Sequence, residues 1–228
     1  MRRSAKRAEL PRARRSSTLV WASCSESKRP SMRDAIRQRI PRARDTLGAA
    51  LIAGALATAA PAQGVYWTKA DLLKSFFAEC ERVSYRTIDP SPSQAARLAK
   101  RLGEPARDAY TVFYGVGKGG IRGIALIDEE IGQHMPITFG VLVGTDGAAE
   151  RIEVLVYREA YGDEVRGHRF TRQLEGKRST DRLRVGDDID AISGATISAH
   201  SLVRGVKRCL VLAELLVLEP GMVEVLRP

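Results

Sequence analysis

The nine residues Asp190-Ala191-Ile192-Ser193-Gly194-Ala195-Thr196-Ile197-Ser198 constrain the fold of this chain more than any other stretch. They end a polar segment and open a long apolar-periodic one, so they read as a loop running into a helix N-terminus. From Ser198 toward Leu218 the apolar residues are Leu202, Val203, Val206, Cys209, Leu210, Ala213 and Val217. Lys207 and Arg208 are expected on the opposite, solvated face, and Pro220-Gly221 ends the helix. Gly194 tolerates φ > 0, and neither it nor Ala195 has bulk to keep a ligand from the backbone. The unpaired N–H groups of a first helical turn favour an anion. The turn therefore suits a phosphate, and Thr196 offers an oxygen to which one can be esterified. The plain alternative is a loop whose Ser or Thr merely caps the helix.

Upstream, Lys69 to Arg82 carries a helical stripe at Leu72, Leu73, Phe76, Phe77 and Cys80. Ser91-Pro92-Ser93-Gln94 is a capping-box start for a second helix through Leu102, stopped by Gly103 and Pro105. Tyr110 to Tyr114, Ile121 to Ile127, Ile137 to Val143 and Arg151 to Tyr157 read as strands, with a hairpin turn at Thr145-Asp146-Gly147. The expected class is α+β: an antiparallel sheet with helices packed on one side. Gly115-x-Gly117-x-x-Gly120 fits a dinucleotide fingerprint in letters only. A strand pattern follows it instead of a helix, so a hairpin is the better reading.

The net charge of +10 suggests nucleic acid until the charge is located. Residues 1–62 hold 14 Lys or Arg and 4 Asp or Glu, leaving 23 of each sign in residues 63–228. A body of balanced charge has no general footprint for DNA or RNA. The basic excess belongs to a leader. Arg37, Arg39, Arg42 and Arg44 precede the apolar run Leu47 to Ala57, and Ala60-Pro61-Ala62 is a small-x-small cleavage pattern before Gln63. This predicts an exported protein with a signal peptide over about 32–62, periplasmic or attached to the outer face of the cytoplasmic membrane. Met1 to Ser31 is odd for such a leader; a start at Met32 would be normal, and disorder is expected before it. The other expected parts are a helical 63–107 and a core over 108–228. Cys80 and Cys209 read as buried thiols on helix faces, with a disulfide the open alternative after export. His134 and His168 stand at no metal-ligand spacing, and His200, one turn past Thr196, reads as a solvated residue.

Asp190-x-x-Ser193-Gly194-Ala195-Thr196-x-Ser198 resembles the acceptor motif of the FMN-binding domain family. That family includes flavin-carrying subunits of the sodium-pumping NADH:quinone reductase and of Rnf-type complexes. Tyr157 to Val165, then Phe170 and Gln173-Leu174-Glu175-Gly176-Lys177, resemble the family's flavin-side loop and the segment after it. Here Ala160-Tyr161 stands for the usual Thr-Pro and Leu174 for an aromatic. The resemblance implies covalent FMN on Thr196, with Asp190, Ser193, Gly194, Ala195 and Ser198 around the link and Glu159 and Gly162 beside the flavin. It also implies a flavin transferase using FAD as donor, and a membrane or periplasmic redox partner. The function so implied is electron transfer without acid–base machinery. Two alternatives stay open: the flavin-bearing component of a small-substrate reductase with a separate catalytic partner, and a flavin-free sensor or scaffold.

Overall fold

The computed structural model describes residues 64–221 and the backbone of residues 13–19. In chain order the elements are β1 (Ala13–Leu19), α1 (Lys69–Phe76), β2 (Arg82–Ile88), α2 (Pro92–Leu102), β3 (Tyr110–Gly117), β4 (Gly120–Ile131), β5 (Pro136–Gly144) and β6 (Ala149–Val156). A short α3 (His168–Thr171) and the long α4 (Thr196–Ala213) follow. The strands form one antiparallel meander in the order β1 to β6. The α+β class is as expected, and the Gly-rich segment is a hairpin: Lys118-Gly119 joins β3 to β4.

Four expectations change. The first helix stops at Phe76 and the chain re-enters the sheet as β2. Val83, Tyr85 and Thr87 alternate along β2, and their β-branched and aromatic side chains favour a strand over a continued helix. Cys80 therefore lies between elements, half-buried, and residues 63–107 are not wholly helical. Helices also cover both faces of the sheet. β5 is buried at every residue after Pro136, so it has no solvent face. Val141 and Val154 point to α4, while Leu142 and Leu155 pack with Leu72, Leu73 and Phe76 of α1. A strand apolar on both sides needs cover on both. Third, β1 lies on the outer edge of β2 instead of being disordered, where the free N–H and C=O groups of β2 offer a template. The rest of residues 1–62, including the expected cleavage pattern Ala60-Pro61-Ala62, is outside the described residues.

The fourth change concerns α4. Arg208 is only 6% exposed and faces the sheet. β3 pairs with β4 only as far as Phe113 opposite Ala125. Beyond that point α4 replaces the missing strand. Arg208 Nη2 donates to Glu129 O (2.9 Å), and Ser201 Oγ donates to Ile131 O (2.6 Å). The Arg208 guanidinium also bonds Asp128 Oδ2 (2.7 Å) and Glu130, while Arg107 and Arg204 complete the carboxylates from outside. Close approach is possible because Gly205 faces Phe139; a Cβ there would lie 2.3 Å from the ring. Together these contacts fix α4 along β4 and carry its first residue to the β4–β5 turn.

Candidate functional site

Thr196 is the first residue of the 18-residue α4 and is exposed. Ala195 stands at the cap position, and no side chain caps the helix. The plain reading of a Ser or Thr cap therefore does not hold. The first helical bond runs from Ala199 N to Ala195 O (2.8 Å), so the N–H groups of Thr196, Ile197 and Ser198 precede the helical ladder. Gly194 has φ +82°, a conformation other residues adopt only with strain, and a Cβ there would meet nothing within 4 Å. The turn is thus set by backbone conformation and opens on free space. A cavity of about 210 Å³ adjoins it, bounded by Gln133, Tyr161 and the run Gly194 to Ser198.

Two segments hold this turn in place. Asp190 N donates to Gln173 Oε1 (2.7 Å), which ties the start of the motif to the stretch after α3. Asp188 accepts from Arg184 N (2.7 Å), Leu183 N (3.2 Å) and Lys177 Nζ (3.0 Å). The Arg184 N–H chiefly, with Lys177 and Leu183, holds its carboxyl down at about 2 against the cost of burial.

The loop after β6 forms the other wall. Glu159 Oε1 accepts from His134 N (2.6 Å) and Met135 N (2.9 Å), so this carboxylate closes the β4–β5 turn. Burial works to raise its pKa, but the N–H groups of Met135, His134 and Gln133 together hold it below the usual range. Gly162, at φ +85°, packs so closely that a Cβ would lie 2.8 Å from Tyr157 Oη and 3.3 Å from Ala195 Cα. A larger cavity of about 680 Å³ lies along this loop, lined by Tyr66, Met135, Tyr157, Glu159, Ala160 and Asp163 among others. That volume lies within the ordinary range of small-molecule sites, about 300–1,000 Å³. The Arg166 guanidinium stacks over the Tyr66 ring at 4.2 Å.

The fold thus brings Ser193, Gly194, Ala195, Thr196, Ser198 and Gly162 into one corner. Glu159 reaches it through the β4–β5 turn, whereas Asp190 lines neither cavity and is tied by its N–H to Gln173. Ser193 is exposed in the turn, whereas Ser198 is buried with its hydroxyl on Tyr157. His200 is exposed. Sequence reasoning gave no role to Gln133, Ser201, Arg208 or the Tyr157 hydroxyl. Gln133 had no signal, being brought in by a hairpin turn. Arg208 had one: Cys209 to Ala213 are apolar at every position, which marks a helix buried well beyond one stripe. Among the described residues, no three His, Cys, Asp or Glu side chains gather as a metal site requires.

Residues 132–211 match the family model of the FMN-binding domain. The matched segment makes up about a third of the chain. It runs from the β4–β5 turn through α4 and so contains both walls of the site. Among solved structures, the chain is similar to the crystal structure of Shewanella oneidensis NqrC. The identity is 16%, the match covers 70% of this chain and 91% of that one, and the TM-score is 0.46. No curated protein matches. The residues present fit such a group: N–H donors that precede the helical ladder of α4 suit a phosphate, and a cavity lined by Tyr66, Tyr157 and Met135 suits a ring system.

Proposed function

We propose that this chain is an exported flavin electron carrier that holds FMN through a phosphoester to Thr196. The observation that carries the reading is the uncapped N-terminus of α4, with an exposed Thr196 at its first position beside an open cavity. A structural helix end in a folded domain ordinarily satisfies its first N–H groups with a cap. One left open beside a hydroxyl suits a phosphate.

Each residue then has a task. The N–H groups of Thr196, Ile197 and Ser198 would meet the phosphate oxygens, and Gly194 gives the backbone its turn without crowding them. Tyr66 and Met135 supply apolar surface for the isoalloxazine, while Glu159 holds the turn that carries Met135. FMN, once bound, supplies the one- and two-electron chemistry, and the protein supplies position and electrostatics. No side chain need act as acid or base in turnover. During maturation the Thr196 oxygen forms the bond to the FMN phosphorus while the anhydride bond to AMP breaks. The hydroxyl proton passes to a base of the flavin transferase.

Outside the cytoplasm a covalent link would keep a cofactor that cannot be recaptured, which agrees with the leader. Co-expression with a flavin transferase followed by denaturing gel fluorescence tests the attachment. The wild-type band should fluoresce and the Thr196→Ala band should not, with thermal stability nearly unchanged because Thr196 is neither buried nor the cap. A band of wild-type intensity in Thr196→Ala would reject the acceptor assignment.

A further inference from the structure

Beside Thr196 the hydroxyls of Tyr157 and Ser198 bond one another, although both residues also border the cavities of the site. Tyr157 follows the last residue of β6 and is 2% exposed. Its hydroxyl lies 2.5 Å from Tyr161 O and 2.9 Å from Ser198 Oγ. A carbonyl only accepts, so the single phenolic proton goes to Tyr161 O, and Ser198 must donate to the phenol oxygen. The chain of donors therefore runs from the third residue of α4, through the end of β6, into the loop. Gly162 leaves the corner free for this pair: a Cβ there would lie 2.8 Å from Tyr157 Oη and 3.3 Å from both Ala195 Cα and Ser198 Oγ. The side chain of Tyr161, by contrast, is 83% exposed and lines the cavity with Thr196. Packing alone would be met by a phenylalanine ring, which brings no polar group into the core.

We infer that Tyr157 and Ser198 form a positioning pair that holds the Ala160–Gly162 loop against the first turn of α4 and so fixes the cavity beside Thr196. The inference rests on Thr196 as the flavin acceptor. The two hydroxyls are engaged with each other and with Tyr161 O, so they act through Tyr161 and through the helix turn. In this reading Ser198 contributes to the motif from inside the core.

Tyr157→Phe keeps the ring and removes the hydroxyl, and Ser198→Ala removes the other half. Two readouts separate the local lock from its consequence. In the flavin-free protein, amide hydrogen exchange over residues 158–165 should rise about tenfold in either variant, while the exchange of β4 and β5 stays unchanged. A tenfold change is what one buried hydrogen bond converts to at its upper net value. With the transferase present, attachment to Thr196 should slow by a similar factor, and the flavin fluorescence of the product should shift. The double variant should be no slower than the worse single one, since both remove the same link. Ser198→Thr, which keeps the hydroxyl, should restore both readouts. Unchanged loop exchange in Tyr157→Phe would overturn the pair whatever the flavin does. Faster exchange with attachment and fluorescence at wild-type values would overturn its positioning role. Failure of the wild-type protein itself to take flavin would count against Thr196 as acceptor, and the exchange arm would still decide the lock.

Discussion

At the scale of single residues, Gly194 and Thr196 would divide the work of the proposed acceptor turn. Gly194 is needed for its backbone, since its φ of +82° costs a side-chain-bearing residue roughly 1–2 kcal/mol. Steric room is not the constraint, because a Cβ there would point into open space. Gly194→Val should therefore lower stability by about 1–2 kcal/mol in a denaturant titration and block flavin attachment by displacing the turn. Gly194→Asn, which enters the left-handed region more readily, should keep most of both. Equal loss in the two variants would mean that the missing side chain, and not the conformation, is what the site requires. The turn and helix start at these small residues were legible in the sequence because a glycine between a polar stretch and an apolar-periodic one marks such a junction. Tyr157 was not, since nothing in the linear pattern pairs it with a serine 41 residues away.

At the scale of elements, α4 is held by charge as well as by apolar contact. Its approach to β4 was invisible in the sequence for a definite reason. The partners of Arg208 lie 78 to 104 residues upstream, and an arginine beside Lys207 reads as solvated until those carboxylates are brought to it. The hydrogen-bonding edge it meets exists only because β3 stops short along β4. Strands β3 to β6 were legible from their β-branched runs, whereas β2 was hidden by the helical stripe before it. Burying a charge is tolerated only with partners in place, and removing one partner of such a pair typically costs about 3–5 kcal/mol. Arg208→Ala should cost about 3 kcal/mol, near the lower end, because Arg107 stays on Asp128 and Arg204 on Glu130. Chemical denaturation would measure it. A loss below about 1 kcal/mol, the scale of an exposed ion pair, would show that the network adds little to holding the helix.

At the scale of the whole molecule, the proposed export rests on the charge partition. The basic excess is confined to residues 1–62, and the body begins where Gly64 to Tyr66 run along the outer edge of β6, with Tyr157 N on Gly64 O and Tyr66 N on Leu155 O (both 2.8 Å). Cleavage after Ala62 would leave that edge and the Tyr66 wall of the larger cavity intact. Protein from the native host should begin near Gln63 on N-terminal sequencing and be found outside the cytoplasm. A full-length cytoplasmic form would contradict export and remove the usual route to covalent flavin. The central claim, FMN on Thr196, is tested most directly by peptide mass spectrometry of protein matured with a flavin transferase. The peptide containing Thr196 should carry the mass of FMN less one water, with fragmentation locating it on Thr196. An adduct on Ser193 or Ser198, or flavin released intact on denaturation, would contradict it.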